Sequence, residues 1–420
     1  MTVTHRRRPA GRHPVPARRP VEATAAVDGP PEPASTAPST ALSTAPSTVA
    51  AGAAWREGDP VGHRTFVDIG DLELESGHVL PGVRIAVETW GTLAPGRDNV
   101  VLVEHALTGD SHVVGDAGDG HPSPGWWDDL VGADGPVDPD RWFVVATNVL
   151  GGCQGSTGPS STSSDGRPWG SRFPYVTVRD QVAAEAAALA RLGIERLAAV
   201  VGGSMGGMRA VEWAVGRPEQ VQRCIVLAST AHTTADQIAW CQPQLLAIRS
   251  DPDFSGGDYY ETGRAPETGL GLARRIAHVT YRTESELSDR FGRAAQTGEQ
   301  PLDAGPDRGR FAVESYLDHH AGKLAGRFDA NSYVVLTEAM NSHDVGRDRG
   351  GVEAALARVT ADCTIVSVDT DRLYPPRLSD EMHAHLPRST RAHIRSEFGH
   401  DGFLIEQEQV GRIIRDALDR

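Results

Sequence analysis

The chain has 420 residues, 39% of them hydrophobic and 23% charged, with a formal net charge of −15. That length allows one large domain with an insertion, or two domains. The acidic surplus leaves no positive charge to replace phosphate counterions, which argues against nucleic acid as a partner, and no apolar run approaches the ~20 residues of a membrane span. Four scattered cysteines, Cys153, Cys224, Cys241 and Cys363, form no CxxC pair and no metal-spaced cluster with histidine. They predict a reduced, cytoplasmic protein with no metal site.

Residues 1–55 stand apart, with an arginine-rich start followed by the Ser/Thr/Ala/Pro repeat "ASTAPSTALSTAPSTVAAGAA". Such a stretch has too little to bury to offset its ordering entropy, so it is expected to be a disordered, dispensable tail, or an extension from an upstream start codon. An export signal, an organelle transit peptide and a basic arm for an anionic surface are the competing readings. No apolar segment follows the arginines to complete an export signal.

From Trp55 onward short apolar runs ending in turn residues predict strands within 83–91, 99–109 and 141–152. An Ala-rich stretch at 176–197 has helical spacing. "AAVVGG" then reads as a buried strand, 204–221 as a helix and "RCIVLAST" as the next strand. Strands alternating with helices imply a mostly parallel sheet covered on both faces. The rhythm breaks at 233–350, which reads as a helical insertion over the sheet, and resumes with a strand in 363–376. A helix at 377–387, a last strand and loop through "TRAHIRSEFGHDGFL", and an amphipathic helix at 406–420 complete the chain. The expected organisation is therefore a tail (1–55), a first part of an α/β core (56–232), a helical lid (233–350) and a second part of the core (351–420).

Gly202-Gly203-Ser204-Met205-Gly206 fits G-x-S-x-G between a strand and a helix. There a serine is held on a strained turn with its hydroxyl above the sheet, while glycines two before and two after keep side chains out of the crossing. A serine needs a base, itself oriented by an acid, and the order in this arrangement is Ser, Asp/Glu, His. Asp371 lies just past a late strand, with Asp369 as its rival deeper in the apolar run. His400 lies in the loop after the last strand, whereas His383 and His385 fall on a helix and His393 within a strand. The backbone N–H of Met205 is one expected oxyanion donor. Leu107, after an early strand, is the other, with Thr108 adjacent. His105 reads as packing or shaping that loop. Trp126-Trp127 could line the site or pack under the long loop, and Cys153 reads as a packing residue.

The blocks "EHALTGDSHV", "GWWDDLVGADGPVD", "FVVATNVLGGCQGSTGPSS", "GGSMGGMRAVEWA", "AHVTYR", "DANSYVVLTEAMNSHDVGRDRGG", "DTDRLYPP" and "GHDGFLIE" occur in this order. With them, residues 63–420 resemble the homoserine O-acetyltransferases of the α/β-hydrolase fold. The resemblance implies an α/β fold with a mostly parallel central sheet, helices on both faces and a helical lid insertion that closes the site into a tunnel and forms a homodimer interface. It implies transfer of an acetyl group from acetyl-CoA to the hydroxyl of L-homoserine in methionine synthesis, with acetyl-CoA as co-substrate and no other cofactor. Ser204 would be acylated, His400 the base and Asp371 its orienting acid. Arg274 and Tyr281 would hold the acceptor's carboxylate and Asp401 its ammonium group. Taken alone, Arg274 and Arg275 would read as surface charges. A serine acceptor, a succinyl donor and a plain esterase or thioesterase are the alternatives.

Overall fold

Eight short runs rich in Val, Ile and Leu pair into one sheet. They are β1 (Thr65–Glu73), β2 (Val79–Trp90), β3 (Val100–Glu104), β4 (Phe143–Thr147), β5 (Ala199–Gly203), β6 (Arg223–Leu227), β7 (Asp362–Val368) and β8 (Ser389–Ile394). The computed structural model describes residues 52–420 apart from 134, 303, 304, 306 and 307, so the expected tail lies outside the described residues up to residue 51. Within the remainder of that stretch Ala54 is buried, and the Trp55 N–H donates to Cys153 O at 2.9 Å.

The strand order is β1-β2-β4-β3-β5-β6-β7-β8. β1 and β2 pair antiparallel, as do β2 and β4, and every other pair is parallel. The central strands β3 and β5 are buried along their whole length, as strands covered on both faces must be. β1 is the element the apolar runs did not reveal. It is an edge strand with one solvated face and register shifts around Gly70, so its apolar residues never form a continuous run.

The helices are α1 (Val178–Arg191), α2 (Met205–Gly216), α3 (Ala235–Arg249), α4 (Glu267–Tyr281), α5 (Glu284–Phe291), α6 (Ala312–Ala325), α7 (Ala330–Asn341), α8 (Val352–Leu356), α9 (Pro376–His385), α10 (Gly402–Ile405) and α11 (Gln407–Leu418). α1 opens on a capping box between Thr177 and Asp180 and ends just before Gly193, which turns the chain at φ 73°. α1 and α2 cover one face of the sheet around Leu189 and Trp213. α11 covers the other through Val410, Ile414, Ala417 and Leu418, a helical stripe packed with Trp127 and Leu130.

Helices α3 to α7 form the insertion between β6 and α8. Their apolar residues, among them Leu245, Tyr333, Leu336 and Met340, share a core with Leu107, Met205 and Met208 of the sheet side. Buried Asp329 caps α7 through Ser332 N–H (2.9 Å) and accepts from the hydroxyls of Tyr259 (2.6 Å) and Tyr260 (2.8 Å). Such charge-assisted bonds contribute about 1.5–3 kcal/mol each and bind one half of the insertion to the other. No helix among the described residues is long and apolar enough to cross a membrane.

Candidate active site

β5 runs into α2 with no intervening loop, so the chain must turn on Ser204, whose backbone takes φ 56° and ψ −122°. That conformation costs a non-glycine residue roughly 1–3 kcal/mol and persists only where the surroundings over-determine it. Here Ser204 N–H donates to Leu227 O (3.0 Å) and Ser204 O accepts from the Ser229 hydroxyl (2.7 Å). The flanking glycines are required by contact. A Cβ on Gly202 would sit 2.4 Å from the Gly206 carbonyl carbon, and one on Gly206 would sit 2.1 Å from Glu104 O.

The Ser204 hydroxyl meets His400 Nε2 at 2.9 Å, and His400 Nδ1 meets Asp371 Oδ2 at 2.7 Å. The other oxygen of Asp371 accepts the N–H groups of Leu373 and Tyr374, both at 2.8 Å, which fixes the carboxylate. These contacts set the tautomer: Nδ1–H faces the acid and Nε2 accepts from the serine. Burial pulls the His400 pKa down, but the charge and hydrogen bond of Asp371 outweigh it and leave it above the ordinary value. The Tyr374 ring stacks on His400 at 4.9 Å.

The rival residues are engaged elsewhere. Asp369 is exposed and accepts from Ser396 N–H. His383 meets the Ser389 hydroxyl and His393 the Ser367 hydroxyl, while His385 is half-buried on α9. His105 shapes its loop, with Nε2 accepting from Val149 N–H (3.1 Å) and Nδ1 facing Ala106 O (2.8 Å). Trp126 and Trp127 stack at 5.0 Å, with Trp127 buried and Trp126 Nε1 donating to Asp110 O. Cys153 is buried, and its burial pushes the thiol pKa up.

One cavity holds Ser204 and His400 together with Leu107, Thr108, Arg274, Tyr281 and Asp401. Met205 N–H opens α2, where no intrahelical acceptor exists, and Leu107 lines the cavity. Arg274 and Tyr281 both lie on α4, the guanidinium carbon 5.6 Å from the Tyr281 ring centre. Arg274 Nε is buried with no hydrogen-bond partner among the described residues. Asp401 carries a neighbour the motif reading missed: Arg282 Nη1 lies 3.5 Å from its Oδ2. Arg282 is also held by both oxygens of Glu286 and lies 4.9 Å from the centre of the Phe398 ring. Burial raises the Asp401 pKa, against the pull of His400, Arg274 and Arg282. The signal for Arg282 was its place as the last residue of "AHVTYR", and for Tyr374 its place in "DTDRLYPP".

Among the described residues one group, Glu88, His112 and His121, has the composition of a metal site. Its geometry is that of a hydrogen-bonded cluster. Glu88 Oε2 binds His112 Nδ1 (3.0 Å), His112 Nε2 faces Asp116 O (3.2 Å), and His121 Nε2 accepts from His63 N–H (2.9 Å). The His112 and His121 rings stack at 3.8 Å with planes 15° apart, so no ion can lie in the plane of both. Burial lowers His121 to about 4, while Glu88 holds His112 above its ordinary value against its own burial.

Residues 99–407 match the family described as the alpha/beta hydrolase fold. The homoserine O-acetyltransferase of Thermobifida fusca is 61% identical over 371 residues, which are 88% of this chain and 97% of that one. The crystal structure of the homoserine O-acetyltransferase from Bacillus anthracis superposes with a TM-score of 0.78 at 27% identity, covering 85% of this chain and 97% of that one. The structure of esterase E22 gives a TM-score of 0.77 at 28% identity, over 84% of this chain and 99% of that one. With the Ser204, His400 and Asp371 side chains joined in series above such a sheet, the chain belongs to the homoserine O-acetyltransferase family of the α/β-hydrolase fold.

Proposed function

We propose that the protein moves an acetyl group from acetyl-CoA to the side-chain hydroxyl of L-homoserine, a step of methionine synthesis, through an acetyl-Ser204 intermediate. The observation that carries this reading is the Asp371–His400–Ser204 series opening into a cavity that also presents Arg274, Tyr281 and Asp401. In the first half-reaction His400 Nε2 takes the Ser204 proton as Oγ attacks the thioester carbonyl. The oxyanion is held by the N–H groups of Met205 and Leu107, and CoA leaves as its thiol with the proton from His400. In the second, His400 removes the proton of the acceptor hydroxyl as its oxygen attacks the acetyl carbonyl, and His400 then gives that proton to the departing Ser204 Oγ. A zwitterionic acceptor calls for a cation and an anion. Arg274 with Tyr281 serves its carboxylate, and Asp401, shared with Arg282, its ammonium group. No resident cofactor enters either step.

Other features support the setting. Cys224 and Cys363 lie in register on β6 and β7 as free thiols, as suits a reducing cytoplasm. Ile238, Trp240 and Leu246 of α3 and Leu272 of α4 are exposed on the insertion, which suits a homodimer through the insertion. The expected particle in solution is twice the mass of the chain, and a monomer at working concentration excludes the pairing.

The reading is tested by intact mass after mixing with acetyl-CoA alone. The wild-type protein gains one acetyl group on Ser204 and loses it on addition of L-homoserine. Ser204→Ala gains none, and an adduct at the same site in that variant would overturn the assignment. The likeness to esterase E22 supports a second reading, hydrolysis, in which the adduct decays at the same rate with or without the amino acid. Succinyl-CoA and L-serine in the same assay decide donor and acceptor.

A further inference from the structure

The loop His105–Thr108 follows β3 directly, and every contact that orients it comes from a defined group. Ala106 O accepts from Gly109 N–H (2.9 Å) and faces His105 Nδ1 (2.8 Å). In a trans peptide the C=O and N–H point in opposite directions, so holding Ala106 O aims the N–H of Leu107. His105 is held in turn, since its Nε2 accepts from Val149 N–H, and burial beside Arg209 keeps its ring neutral. At the sheet end of the loop His105 O accepts from Arg209 Nη2 at 2.7 Å. Arg209 lies on α2, fully buried, and its Nη1 pairs with Glu104 at 2.7 Å and Glu185 at 2.5 Å. At the far end Thr108 O accepts from Arg327 Nη1 at 2.7 Å, and Arg327 Nη2 reaches Thr108 Oγ1 at 3.4 Å.

Arg327 comes from the insertion, in the link between α6 and α7. It does not line the cavity at Ser204. Burial works against its charge, the nearby Arg274 adds to that, and the buried Asp110 carboxylate opposes both. A guanidinium held in such a place, with one N–H on a backbone carbonyl of the loop and another reaching a hydroxyl of the same residue, has a geometric task.

We propose that Arg327 is a positioning residue that couples the lid to the oxyanion hole: it fixes Thr108 from the lid side while Arg209 and His105 fix the sheet side, and together they aim the Leu107 N–H. The proposal rests on the reading of Leu107 as an oxyanion donor. A donor tethered at one end swings away from the oxygen that gains charge, and the hole is complete only when the lid is seated.

The test uses the full chain and single-turnover acylation without L-homoserine, from acetyl-CoA and separately from p-nitrophenyl acetate. Deleting a side-chain oxyanion donor costs about 10²–10³ in rate, so loosening one in Arg327→Gln is expected to slow acylation by about 10- to 100-fold. The factor is the same for both donors, because the ester lacks the CoA arm, and the KM for L-homoserine stays within about twofold. Arg327→Lys, whose ammonium still reaches Thr108 O, recovers part of the rate. A lower Tm with wild-type acylation per folded molecule in Arg327→Gln overturns the proposal. So does a raised KM for L-homoserine with acylation intact, which assigns Arg327 to the acceptor instead. Absence of a Ser204 adduct in the wild-type protein overturns the underlying reading, whereas a normal wild-type adduct with unaltered Arg327→Gln kinetics overturns the coupling alone.

Discussion

Gly206→Ala probes the join between the nucleophile and the oxyanion loop. The added Cβ would lie 2.1 Å from Glu104 O, 2.8 Å from Glu104 C and 3.0 Å from His105 O, all backbone atoms that no side-chain rotation can move away. Non-bonded carbon contacts become favourable only near ~3.5 Å, so the start of α2 and the end of β3 must part by about 1 Å. Overpacking of this kind costs about 1–3 kcal/mol, which a domain stable by about 5–15 kcal/mol survives folded. The kinetic cost is larger. The displacement separates Ser204 from the loop bearing Leu107, and a misplacement of about 1 Å at a reacting centre costs about 100-fold. Asp371 and His400 follow β7 and β8, away from this join, and keep their mutual geometry. Rapid-quench measurement of acetyl-enzyme formation, normalised to the folded fraction from a thermal melt, reads the effect. A folded Gly206→Ala protein that acylates at the wild-type rate would refute the idea that these two backbones must touch for the hole to form.

Two further outcomes follow from the charges around His400. Its pKa lies above the ordinary ~6.5, and the base must be neutral, so wild-type acylation falls as pH drops through a value above that. In Asp371→Asn the two largest raising influences on His400 are gone and only the Asp401 charge still opposes burial, so the acid limb moves to lower pH while the plateau falls by about 10³- to 10⁴-fold; a limb that does not move in a pH–rate profile counts against Asp371 as the orienting acid. Asp401→Asn removes the charge expected to meet the acceptor's ammonium group, and kcat/KM for L-homoserine should fall by about 10- to 100-fold while acetyl loading changes less. Equal losses in the two half-reactions would contradict that role.

The elements that could be read from the amino acids are those whose burial leaves a mark in the pattern. β3 to β7 are covered on both faces and appear as unbroken apolar runs, and the turn residues at the ends of β5 and β7 point straight to Ser204 and Asp371. β1 shows half a face to solvent and left no such mark. Buried charge is invisible for a different reason. Arg209, Glu104 and Glu185 are fully buried, yet in one dimension they look like solvated residues of a helix or a strand end. Burial pushes Glu104 well above the usual carboxylate range, and only three-dimensional contact with Arg209 and a second carboxylate explains how it is accommodated. Arg274, Tyr281 and Asp401 are proposed for the acceptor through resemblance to a family, since seven-residue spacing on a helix does not by itself distinguish a site from a surface. Arg282 and Arg327 make their contacts across long sequence separations, from the lid to the ends of strands; Arg282 at least closes the block "AHVTYR", whereas nothing local announces Arg327.

The difference between transferring an acyl group and hydrolysing it has to be sought in the lid. The Ser204–His400–Asp371 series would serve either outcome, and esterase E22 is similar over 84% of this chain. The groups proposed for the acceptor come from or face the insertion: Arg274 and Tyr281 on α4, and Arg282 just after it against Asp401. An acceptor hydroxyl fixed near the acyl-serine gains an effective concentration of up to about 10⁵–10⁸ M, which lets it outrun water without the site being dry. That advantage depends on the acceptor groups and the oxyanion hole being in register with each other. The shared core of Leu107, Met205 and Met208 with Tyr333, Leu336 and Met340 makes them one packed body, so the lid cannot shift without moving the hole. On this argument weakening the lid contacts raises hydrolysis relative to transfer before it abolishes acylation, and the ratio of acetate to acetylated amino acid is the quantity that reports it.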